Sequence, residues 1–324
     1  MTWSAIAALV VGPAHAVVSW FFFSRRRHGA GWALGWLAAT LAAVLLQDVW
    51  AVQVGFWAAV VVWEAWWLSL RPQIDRDWAP DVARQATGII AGGRLVMHDV
   101  RNFVWRGEED HLERWETRSY DINKLESLDL FAVYWTIEGI AHLIMSFGFG
   151  EEGRLAFSIE VRRERGEPWS GIRGAFKVFE LVTIAADERD VLGVRAGVRG
   201  EDVRIYRLRT TAEFRKKLLA QYVADCNLLA REPRFFHTFW TNCTTQVVRM
   251  ARAAGWRLPF DWRMIASGHV PDYLYKVGLL DRRVSFAELR GQASVSEKVR
   301  AAGYGAGFSQ KIREGVPRPE DEAG

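Results

Sequence analysis

Hydrophobic positions fall into two regimes along the chain. Up to position 70 they continue almost without interruption, in stretches at 5–23, 30–46 and 54–70. Each is close to the roughly 20 residues needed to cross a bilayer core. Trp20, Trp32, Trp50, Trp66 and Trp67 stand near segment ends, where an aromatic belt places them. The pattern predicts membrane helices, because so long a run with so few charges rarely stays in water. Ala14-His15-Ala16 has the small-x-small form of a signal-peptidase site. No positive side chain precedes the apolar run, however, and the run continues past the site, so the segment reads as an uncleaved anchor.

After Arg71 the period changes. The segment 72–107 is mixed and turn-rich. Position 128–135 is a dense apolar and aromatic run, and 140–149 alternates, with Leu143, Met145, Phe147 and Phe149 facing one way and His142, Ile144, Ser146 and Gly148 the other. A Gly-flanked turn at 150–153 leads into 155–162, which alternates again. Two alternating runs around a short turn predict a β-hairpin. Further strands are expected at 180–185, 191–196 and 203–208. Helical spacing takes over at 211–229, where Phe214, Leu218, Tyr222 and Cys226 share a face, and at 244–254, which Gly255 stops. Strands followed by helices imply an α+β domain with an antiparallel sheet. The expected organisation is a membrane anchor at 1–71, a soluble domain at 72–314 and a flexible tail at 315–324.

Charge sharpens this division. Residues 1–71 hold only Arg25, Arg26, Arg27, Asp48, Glu64 and Arg71 as charged groups, and nine of the 17 tryptophans. By the positive-inside rule Arg25 to Arg27 stay cytoplasmic. Three crossings would then leave the soluble domain cytoplasmic. Two crossings, with the third stretch lying at the interface, would leave it periplasmic, and Glu64 within the short third stretch favours that arrangement. The net charge of +4 is too balanced for a nucleic-acid partner. Two cysteines exclude a disulfide scaffold, and seven histidines without HxH or HExxH spacing give no reason to expect a metal or other cofactor.

Three residues carry possible chemistry. Cys243 stands where the second helix begins, and unpaired N–H groups there favour a thiolate; a small core residue is the other reading. Cys226, on an apolar helix face, fits the core reading, and a Cys226–Cys243 disulfide is conceivable in an oxidising compartment. His142, mid-strand, is either a general base or a half-buried strand histidine. A hairpin centred on Glu151 pairs His142 with Glu160, which would orient the imidazole and stabilise its charged form; the alternative for Glu160 is a surface ion pair with a neighbouring arginine. Residues 162–165 read as a solvated strand end, and 187–190 as a polar turn.

Several motifs in one order resemble the Lnb N-terminal periplasmic domain family: Val100-Arg-Asn-Phe103, Arg114-Trp-Glu-Thr-Arg118, Ile140-Ala-His142 with Ser146-Phe-Gly-Phe149, Ser158-Ile-Glu-Val-Arg-Arg-Glu164, Ala186-Asp-Glu-Arg-Asp190 and Asn242-Cys-Thr-Thr245. The similarity runs from about Trp67 to about Glu314. It implies a bacterial inner-membrane protein with a periplasmic domain, a circularly permuted NlpC/P60-like (papain-like) fold, and a link to lipoprotein N-acyltransferases. Carried over residue by residue, Cys243 would be the nucleophile, His142 the base and Glu160 a third polar residue. The expected activity is acyl transfer from a phospholipid donor to the N-terminal amine of a lipoprotein acceptor. The rivals are a cysteine peptidase or amidase acting on cell-wall peptides, and a non-catalytic membrane-tethered binding module.

Overall fold

The structure, a computed structural model, describes residues 1–24, 28–135, 137–257 and 259–319. The apolar front forms three helices, α1 (Trp3–Phe23), α2 (Gly29–Leu45) and α3 (Trp50–Ser69). Helices α1 and α3 are long and apolar enough to cross a membrane, whereas α2 has 17 residues. The shorter element is therefore the second stretch, and the third, expected to be short, starts at Trp50 and has 20 residues. The positive-inside reading rests on Arg25 to Arg27, which lie outside the described residues.

Helices α1 and α3 run side by side in the same direction. Trp57 Nε1 donates to Ser4 Oγ (2.8 Å), His15 meets Glu64 (3.1 Å), and Phe22 packs edge-on against Trp67. Helix α2 returns along α1. At their crossing a Cβ on Gly12 would come within 1.7 Å of Thr40 Oγ1, so glycine is what permits the approach. The pairing with His15, itself held between Trp36 and Trp63, accounts for Glu64 in an apolar helix. The C-terminal ends of α1 and α3 abut the soluble domain. Phe21 stacks on Phe176 at 5.2 Å, and Lys177 Nζ donates to the Trp67 carbonyl at 2.8 Å.

Among the described residues ten strands follow, β1 (Thr87–Ala91), β2 (Arg94–Arg101), β3 (Val104–Trp105), β4 (His111–Leu112), β5 (Trp115–Asp121), β6 (Ser127–Tyr134), β7 (Ala141–Gly148), β8 (Arg154–Arg162), β9 (Glu180–Ala186) and, after α4 (Glu188–Leu192), β10 (Asp202–Arg207). The remaining helices are α5 (Ala212–Arg231), α6 (Cys243–Ala253), α7 (Val270–Lys276), α8 (Phe286–Gln292), α9 (Ser296–Ala302) and α10 (Phe308–Lys311). The main sheet runs β1-β2-β9-β8-β7-β6-β10, with β5 also pairing β2 and β3-β4 forming a separate ribbon. It is antiparallel except at one β2–β9 pair, Arg101 with Ala186. This is the α+β, antiparallel-rich domain the pattern implied.

Both faces of the sheet are covered. On one, Leu143, Met145, Phe147 and Phe157 pack under Phe214, Leu218 and Tyr222 of α5 and Met250 of α6. On the other, Phe131, Ile144 and Ile184 meet Val191, Val299, Phe308 and Ile312. The β7–β8 hairpin has the expected register: Ile144 pairs with Ser158 and Phe147 with Leu155, centring the turn on Glu151.

Five expectations are corrected. The segment 72–107 is not mere turn but supplies β1, β2 and β3. The segment 191–196 is not a strand: α4 occupies its start and a π-helical turn, Gly193–Val198, the rest. The cause lies in 187–190, which is no solvated turn. The Asp187 side chain caps Arg189 N–H, and Asp190, fully buried, accepts from Arg101 Nε (2.9 Å), Phe103 N–H (2.8 Å) and Trp105 Nε1 (2.9 Å). These bonds pull the chain inward and satisfy a carboxylate that an extended strand would leave unpaired. Arg162 is likewise buried rather than solvated, donating to the carbonyls of Val82 (3.1 Å) and Ala83 (2.6 Å). Finally, the tail is not loose from 315 onward, because Val316 is buried against the second core; residues 320–324 lie outside the described ones.

Candidate functional site

Helix α6 starts at Cys243 because Asn242 caps it. The Asn242 side chain accepts from Thr245 N–H (2.9 Å), and the Thr245 hydroxyl accepts from Asn242 N–H (3.0 Å), a reciprocal capping box. The box leaves the first-turn N–H groups of Cys243 and Thr244 aimed out of the helix end, where the macrodipole is positive.

His142 is the second residue of β7 and faces Ser158 and Glu160 of β8. The β7–β8 ladder ends at Ile144 with Ser158, two residues short of this level. The register continues nonetheless, so His142 lies beside Glu160, with Nε2 to Oε1 at 3.2 Å. Helix α6 packs on the other face of the sheet, yet the Cys243 thiol reaches His142 where the ladder has stopped. There the imidazole and the Leu143 backbone N–H both lie near enough to the sulfur to favour its charged form.

The ring is fixed in one orientation. The Ser158 hydroxyl donates to Glu160 Oε1 (2.6 Å), so its oxygen accepts from His142 Nε2 (2.7 Å). The imidazole proton therefore sits on Nε2, and Nδ1 is the nitrogen left for the thiol. Glu160 is held from behind by Arg195 Nη2 (2.7 Å), which also reaches Glu201 (3.2 Å). Glu160 thus lies beside His142 and pairs with a buried arginine from a distant segment rather than with a neighbouring one at the surface. Sequence reasoning missed Ser158 and Arg195. Ser158 sits two residues before Glu160 on the same strand face, a signal that could have found it. Arg195 was hidden because its segment was taken for a strand.

The electrostatics follow from these contacts. Burial disfavours charge on His142, but Glu160 overcomes it, with Arg195 opposing and Cys243 assisting, so the imidazole pKa rises to about 9. Burial would raise the Cys243 thiol pKa; the His142 charge and hydrogen bond, with the Leu143 N–H, lower it below its ordinary value. Burial would also raise Glu160, which His142 and Arg195 hold well below the usual carboxylate range. Together these shifts favour a thiolate–imidazolium pair. Because the folded His142 value lies above its unfolded 6.5, its stabilisation is full below that pH and is lost as pH rises through about 9. Cys226 is fully buried under α5, where burial pushes its thiol far upward, and neither cysteine is disulfide-bonded.

Residues 111–268 match the family model of the Lnb N-terminal periplasmic domain. That segment of the chain is similar to the Lnb N-terminal periplasmic domain. It contains His142, Ser158, Glu160, Arg195 and Cys243, so the whole constellation lies inside the matched segment. No curated protein and no solved structure matches the chain. The family match agrees with a periplasmic domain, and the apolar helices α1 and α3 with a membrane anchor.

Iodoacetamide should alkylate Cys243 but not Cys226 in the folded protein. The Cys243 rate should fall as pH drops through its lowered thiol value. In His142→Ala the profile should move up toward that of an ordinary thiol, near about 8.5. Peptide mass spectrometry across a pH series checks this, and an inert Cys243 would contradict it.

Proposed function

We propose that the protein is a membrane-anchored thiol acyltransferase that moves an acyl chain from a phospholipid, through a Cys243 thioester, to the N-terminal amine of a lipoprotein. The observation that carries the reading is the buried His142 whose Nε2 is committed to Ser158 and Glu160 while its ring favours the charged form of Cys243 at a helix start. That is how a protein prepares a nucleophilic sulfur.

The Cys243 thiolate attacks the ester carbonyl carbon, and the developing oxyanion lies near the N–H groups at the α6 start. As the ester C–O bond breaks, His142 Nδ1 gives its proton to the departing lysophospholipid oxygen. The amine then attacks the thioester, its proton passes to His142, and the sulfur leaves as thiolate. Glu160 and Ser158 keep the ring oriented through both halves. Both substrates are held in the bilayer, so tethering the domain through α1 to α3 raises their effective concentration. An imidazole on an early strand preceding a helix-start thiol in the chain also suits a circularly permuted NlpC/P60-like (papain-like) arrangement.

The test is the full-length protein in phosphatidylethanolamine and phosphatidylglycerol vesicles with a diacylated lipopeptide bearing a free N-terminal Cys. N-acylated product, followed by mass spectrometry, supports the reading; its absence alongside release of peptides from cell wall would replace it with a peptidase. In the same assay Glu160→Gln should lower the rate by about 10²-fold. Its alkaline limb, expected at about 9, should move to lower pH because His142 loses its largest charge-favouring neighbour.

A further inference from the structure

Exposed aromatic and apolar side chains in the soluble domain gather at one end of the sheet. The β6–β7 loop, the β8–β9 loop and the segment before α6 all lie at this end, as do His142 and Cys243. The loops are knitted together. Trp135 meets Trp169 edge-on at 6.1 Å, Thr238 N–H donates to the Gly174 carbonyl (3.3 Å), and Gly268 N–H donates to the Gly139 carbonyl (3.1 Å). The result is a rim that leaves Trp240 76 %, Phe239 62 % and Ile265 71 % exposed, with Trp262 and Trp169 also more than half exposed. Singly exposed apolar residues are ordinary, but large aromatics converging from four segments are not.

The membrane helices join the domain at this same end. The β8–β9 loop that carries Trp169 continues into Phe176, stacked on Phe21 of α1, and Lys177, bonded to the Trp67 carbonyl of α3. We infer that the rim is a second membrane contact: it enters the outer layer of the lipid bilayer that holds α1 and α3, and opens the Cys243 site directly onto lipid. Continuity with the anchor selects lipid as the occupant, and tryptophan suits it, having an apolar body and a polar N–H for the headgroup level. The inference extends the acyl-transfer reading, since an ester donor would then reach the sulfur without leaving the bilayer.

The experiment uses the full-length protein in phosphatidylethanolamine and phosphatidylglycerol vesicles doped with a diazirine-bearing phosphatidylcholine. After photolysis, lipid adducts should appear on peptides carrying Phe239 and Trp240 or Trp262 and Ile265, as well as on α1 to α3. They should be absent from Ile89 and Ile90, which are exposed at 62 % and 40 % but lie toward the opposite end of the sheet. The paired substitutions Trp240→Ser and Trp262→Ser should abolish the rim adducts while Cys243 alkylation, which reports an intact fold, is unchanged. Adducts confined to α1 to α3, or no more frequent on the rim than on Ile89 and Ile90, would overturn the inference; a rim that binds only a protein would give that result. No turnover is required, so failure of the acyl-transfer reading leaves this outcome legible.

Discussion

Replacing Cys243 by Ala is expected to reduce acyl transfer by roughly 10³-fold or more, because every step forms or breaks a bond to its sulfur. Cys243→Ser should be nearly as inactive. A serine hydroxyl ionises far less readily than a thiol, and His142, raised to about 9, is tuned to share charge with a thiolate rather than to strip a hydroxyl proton. Cys226→Ala, which deletes a sulfur buried under α5, should retain activity. The contrast between the two cysteines separates chemistry from folding, and product formation in the vesicle assay reads it.

The largest effect on stability is expected at Arg313. Its guanidinium, 3 % exposed, donates through Nε to Asp129 (2.9 Å) and through Nη1 to Glu188 (2.8 Å), and also bonds the Ser309 carbonyl (2.7 Å). Asp129 has Arg154 and Arg207 besides, but Glu188 has only the Ser146 hydroxyl otherwise among the described side chains. Arg313→Met would therefore strand a buried carboxylate, at about 3–5 kcal/mol. For a domain of this size the melting temperature should fall by roughly 10 °C, measured by thermal denaturation of the detergent-solubilised full chain. Adding Glu188→Gln should recover part of the loss, because the stranded charge is then gone; an unchanged melting temperature in the single variant would show that the network contributes nothing.

The elements legible in the sequence are those whose burial imposes a clean period. The β7–β8 register could be read because a one-residue slip would split Leu143, Met145 and Phe147 from Leu155 and Phe157, and that register already placed Glu160 beside His142. Cys243 at the α6 start was legible from the helical segment that follows it and ends at Gly255. Strand β2 was not. Asp99, at a φ of 54°, makes a bulge between Met97 and Val100, so the alternation of Leu95 and Met97 changes phase and no period-two pattern survives. Nor was the cover over the second face of the sheet. It is built partly from charged groups, Asp129, Glu188, Asp190, Arg195 and Arg313, which look solvent-exposed until their partners are known. Arg195 shows the consequence for the site: the residue that braces Glu160 lies in a π-helical turn, Gly193–Val198, within a segment whose sequence reads as a strand.

The most direct test of the sulfur's role is the mass of the Cys243 peptide after the full-length protein has been incubated with phospholipid vesicles and no acceptor. The account predicts one added acyl chain on that peptide, released by neutral hydroxylamine as a thioester is, and missing in His142→Ala. An unmodified Cys243 peptide under conditions where the protein transfers acyl chains, or an acyl chain on another residue, would contradict it.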